Sequence, residues 1–134
     1  MQEYYRSRYK EITFDKEESL LKSIWFKDSK EMNEMEFKEN LSHWVGGIKK
    51  FRPEKLLVDS RELGFTIDPL VQTWMAEEIY PYYVSNNVQK QAFIVSKDFF
   101  ARISIVQTID EVGKIVTETQ HFESEKEARD WLTK

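Results

Sequence analysis

The chain has 134 residues, a net charge of −4, 33% charged and 14% aromatic side chains, and no cysteine. That length predicts one domain with a core large enough to need no disulfide or metal staple, and the missing thiols exclude disulfide scaffolds, cysteine nucleophiles and cysteine-based zinc sites. Both charge signs are interspersed without a basic stripe, which argues against a nucleic-acid binder, and no apolar run is long enough to span a membrane.

The first eight residues lack an apolar signal core, so a reducing cytoplasm is the expected location. Tyr4 and Tyr5 fall near what reads as a mobile end. Residues 9–14 and 20–26 read as two strands around a polar, turn-like break at 15–19, which predicts an antiparallel hairpin.

The period then turns helical. Phe37, Leu41, Trp44, Val45, Ile48 and Phe51 form one continuous face over residues 34–51. Asn33 and Glu36 have the spacing of a capping box, and Pro53 ends the helix. Gly46 and Gly47 inside this pattern cost about 1 kcal/mol each relative to alanine, so they predict a close approach of helix to sheet.

Residues 55–59 read as a central strand buried on both faces and ending in Asp59. A loop follows over 60–66. Asp68 before Pro69 predicts a capped helix carrying Leu70, Val71, Trp74, Met75 and Ile79, with Pro81 as its end. A second buried strand is expected over 91–96. A helix over 98–112, capped by Ser96 and ended by Gly113, follows it. The last strand is expected over 115–122. Ser124 and Glu127 then form an S-x-x-E capping box before the contact stripe Ala128, Trp131 and Leu132. The order is β-β-α-β-α-β-α-β-α, an α/β domain with a mixed, mostly parallel sheet.

Three stretches carry a family resemblance over about residues 9–133: residues 51–59, residues 65–69, and residues 121–132. In order and spacing they resemble the STAS-like fold of anti-sigma-factor antagonists, including small bacterial SpoIIAA-like proteins of unknown role. The resemblance implies a non-enzymatic regulatory module that binds a protein partner. Family members that act as switches carry a phosphorylatable Ser or Thr just after an Asp at the start of the second helix. Here Pro69 follows Asp68, which implies binding independent of phosphorylation.

Asp59, Ser60, Phe65, Thr66 and Asp68 are the candidate partner- or ligand-binding residues, because ligands of open α/β sheets bind beyond the carboxyl ends of strands. The bland alternative is that Asp59 accepts loop amides and Asp68 only caps a helix. Trp25, Trp44, Trp74, Tyr80, Tyr82 and Tyr83 are candidate walls of an apolar pocket of roughly 300–1,000 Å³ for a small molecule or lipid. The same aromatics could fill the core or support a homodimer. His43 and His121 have no metal-ligand spacing, and no phosphate loop or nucleophile elbow is present. No catalytic residue, metal or cofactor is expected.

Overall fold

The computed structural model describes residues 1–96 and 117–134, and at its centre lies a six-stranded sheet whose strands sit side by side in chain order. The strands are β1 (Gln2–Arg6), β2 (Lys10–Asp15), β3 (Leu20–Trp25), β4 (Lys55–Asp59), β5 (Lys90–Ile94) and β6 (Glu118–Phe122). The pairs β1–β2 and β2–β3 are antiparallel, whereas β3–β4, β4–β5 and β5–β6 are parallel. The described helices are a 3-10 turn (Lys27–Glu31), α1 (Glu34–Phe51), α2 (Pro69–Glu78), α3 (Pro81–Ser85) and α4 (Glu125–Leu132). The expected helix over 98–112, its stop at Gly113 and the first residues of the last expected strand lie outside the described residues.

The hairpin, the central strand β4 and the α1 cap follow the sequence. The Asn33 side chain accepts from the Glu36 amide at 2.8 Å, and the Glu36 carboxylate accepts from the Asn33 amide at 3.0 Å. Arg52 then turns the chain out with φ 46 before Pro53. The glycine pair lies against the sheet: a Cβ on Gly47 would stand 3.1 Å from Leu21 and 3.3 Å from Tyr4.

Three expectations need correction. The N-terminus is not a loose end but strand β1. A bulge at Tyr4 lets Tyr4 and Tyr5 both reach α1, where Tyr4 packs edge-on against Phe51 at 5.6 Å and Tyr5 stacks on His43 at 3.9 Å. Pro81 does not merely end a helix. It occupies the first turn of α3, where its missing N–H costs nothing. In α4 the Ser124 hydroxyl accepts from the Glu127 amide, but among the described residues no reciprocal Glu127 bond completes the box.

The two faces of the sheet differ. One packs Ile12, Leu21, Trp25, Leu56, Val58 and Phe93 against α1, α2 and α3 in the main core. The other sets Leu20, Leu57, Ala92 and Ile94 against Ala128 and Leu132 of α4.

Candidate functional site

Side chains alternate along a strand, so Lys10 shares the inward face of β2 with Ile12 and Phe14, and Ser23 lies between Leu21 and Trp25 on β3. Both therefore point into the main core. They line a cavity of about 50 Å³ between the sheet and α1–α3, walled by Trp25, Phe37, Trp44, Ile79, Tyr80, Tyr83 and Phe93.

The polar groups around this cavity are poorly matched by the protein. Lys10 is 1% exposed, and its Nζ sits 4.1 Å from the Trp25 ring centre and 5.3 Å from that of Trp44. Among the described residues no carboxylate pairs with it. Burial alone pushes its pKa down to about 7, because desolvation disfavours the cation. The two indole faces offset part of that cost through their quadrupoles.

Among the described residues, the buried Ser23 and Tyr80 hydroxyls have no hydrogen-bond partner. Tyr83 contrasts with them: its oxygen accepts from the Trp44 indole N–H at 3.0 Å. Burial raises the pKa of both tyrosines, so they face the cavity neutral. Ser60 completes the rim by donating to the Ile94 carbonyl at 2.9 Å. A buried polar group without a partner costs about 1–3 kcal/mol. Two such hydroxyls and a desolvated amine around one void make a site ready to meet a hydrogen-bonding guest.

The loop candidates do not converge. Asp59 pairs in register with Ile24 and faces the α4 side, where its carboxylate accepts two Arg61 guanidinium bonds at 2.9 and 2.6 Å. Arg61 is held more firmly charged by that bond. The neighbouring Ser60 points to the opposite face, into the cavity. Phe65 stacks on Phe37 with ring centres 4.4 Å apart, Thr66 is exposed, and Asp68 caps α2 by accepting from the Val71 amide at 3.0 Å. A residue that sequence reading passed over pins this loop. Ser29, fully buried, donates to the Glu62 carbonyl at 3.2 Å and accepts from the Gly64 amide at 3.0 Å.

Of the aromatic candidates, Trp25, Trp44, Tyr80 and Tyr83 line the cavity. Trp74 and Tyr82 are half-buried instead, beneath the amines of Lys38 and Lys49. The void is also far smaller than a drug-sized pocket, since the large rings fill most of the space they enclose. Sequence reading missed Lys10 and Ser23, although a signal existed: a lysine in the inward register of an otherwise apolar strand face.

Among the described residues no group of three or more His, Asp or Glu could hold a metal ion, and no helix is long and apolar enough to cross a membrane. Comparison with protein-family models, curated proteins and solved structures finds no match to this chain.

Proposed function

We propose that the protein is a small-molecule-binding domain whose site is the cavity around Lys10. The observation that carries this reading is that Lys10, Ser23 and Tyr80 line one aromatic void while the amine and the two buried hydroxyls find no hydrogen-bond partner among the described residues. A guest suited to it is compact, with an apolar body and an oxygen head. An apolar cavity of about 150 Å³ takes up a benzene molecule, so a void of about 50 Å³ suits a guest of only a few heavy atoms.

The test is a titration with short-chain alcohols, aldehydes, ketones and carboxylates, read by tryptophan emission and by thermal midpoint. A ligand that shifts both in the wild type and loses affinity in the Ser23→Ala, Tyr80→Phe double variant supports the reading. Silence across the whole series, with ordered water satisfying all three groups in a crystal structure, defeats it.

A second reading follows the STAS-like resemblance: a protein partner, or a second copy of the chain, engages the loop at 60–68 and the start of α2. The observation favouring it is Leu70, 81% exposed one turn from Thr66 and Asp68. Partner capture or self-association lost in Leu70→Asp but kept in Lys10→Met would support this surface. Equal behaviour of the two variants counts against it.

A further inference from the structure

The charged and polar lining of the cavity narrows the guest further, on the premise that the cavity binds small molecules at all. Among the described residues no arginine or histidine lines it, so a carboxylate guest would find no fixed cation there beyond Lys10 itself. An uncharged carbonyl compound fits better. Its oxygen can accept from the two unpartnered hydroxyls, while its carbon meets an amine that has no acceptor of its own among the described residues.

We propose that Lys10 is a carbonyl-capturing amine: its Nζ, set against the faces of Trp25 and Trp44 in a cavity that Ser23 and Tyr80 also line, condenses with a short-chain aldehyde to form an imine. The nitrogen lone pair attacks the carbonyl carbon, and the C=O π pair collects on oxygen. That oxygen is steadied by hydroxyl donors and takes a proton lost from nitrogen. The carbinolamine hydroxyl then takes up a proton from solvent and leaves as water while the nitrogen lone pair closes the C=N bond, which gives the protonated imine. One water leaves for each imine formed, and nothing is oxidised or reduced.

Desolvation is what equips a lysine for this role, since a protonated amine is no nucleophile. Burial supplies it here. Among the described residues the other titratable groups lining the cavity are Tyr80 and Tyr83, both neutral, and no carboxylate among them holds the proton on Lys10. The protonated imine is again a cation over two indole faces, which favour it as they favour an ammonium.

The test exposes the intact protein at pH 7 to acetaldehyde with cyanoborohydride, which traps iminium ions as stable amines, and maps the adducts by peptide mass. Lys10 is expected to be modified at least about tenfold faster than exposed lysines such as Lys16 and Lys126, since a solvated, protonated ammonium is no nucleophile. Mapping on the wild type needs no variant. Tyr80→Phe, which keeps the ring, should slow trapping at Lys10 and leave surface lysines unchanged. Pyruvate in place of acetaldehyde should label Lys10 more slowly. Labelling spread evenly over surface lysines, or absent from Lys10, overturns the proposal. Emission and thermal shifts with acetaldehyde but no trapped adduct overturn the imine and leave the binding pocket standing. Neither shift nor adduct removes both.

Discussion

The two faces of the sheet solve the same problem in opposite ways. On the α4 face, among the described residues, charged groups near the core meet opposite charges. Lys22 donates to Glu125 at 2.8 Å, Arg129 donates to the same carboxylate at 2.8 Å, and Arg61 grips Asp59. Burial, which alone would raise the Glu125 carboxyl, is outweighed by those two donors, and its pKa falls. On the α1–α3 face an amine and two hydroxyls are buried with ring faces or nothing opposite them. One face is closed by charge pairs, and the other holds a cavity whose lining includes polar groups without a hydrogen-bond partner among the described residues.

The largest expected effect tests how tightly the finished face is packed. Leu57 is fully buried against α4, so Leu57→Ala should cost about 2–5 kcal/mol in denaturant unfolding. A cost below about 1 kcal/mol would mean that this face is looser than described.

Next comes the lysine. Unfolded, Lys10 titrates near 10.4, the ordinary value for an amine. Folded, it titrates at about 7. Between these values the unfolded chain holds a proton that the folded chain lacks, so stability rises with pH from about 7 toward 10. Above about 10 the sign reverses, because burial raises Tyr80 and Tyr83 and the unfolded tyrosines ionise first. Lys10→Met should flatten the rising limb and stabilise the protein at pH 7 by on the order of a few kcal/mol. A flat wild-type profile from pH 7 to 10 would falsify the desolvated amine.

The smallest effects sharpen the comparison most. Tyr83→Phe strands the Trp44 N–H and should cost about 1–3 kcal/mol. Tyr80→Phe removes a hydroxyl with no partner among the described residues, so it should be neutral or stabilising by less than about 1 kcal/mol. Equal losses in thermal or denaturant midpoint for the two would show that Tyr80 is satisfied after all, by water or by a guest.

Much of the fold was legible because its signals are local. The helical face of α1, the Asp68–Pro69 start of α2 and the apolar runs of β4 and β5 each declare themselves within a few residues. Strand β1 did not, because a bulge breaks the alternation that identifies a strand and sets two adjacent tyrosines on one side. The site was legible only in part. Trp25, Trp44, Tyr80 and Tyr83 were visible as large aromatics, but Lys10 joins them through strand register and the depth of the core above β2, and both are tertiary facts. Asp59 and Ser60, neighbours in sequence, are divided by the sheet itself.

The order of the strands has a consequence for how the molecule is made. Each strand lies next to the one before it in the chain, so no strand must wait for a later one to fill a gap between earlier neighbours. The cavity is lined from Lys10 to Phe93. On a ribosome, where the N-terminal part emerges first, the residues that wall the pocket can meet before β6 and α4 are synthesised. The described wall of the cavity is thus assembled early, and α4, tied back to β3 by Lys22 and Glu125 across 103 positions of sequence, closes the opposite side last.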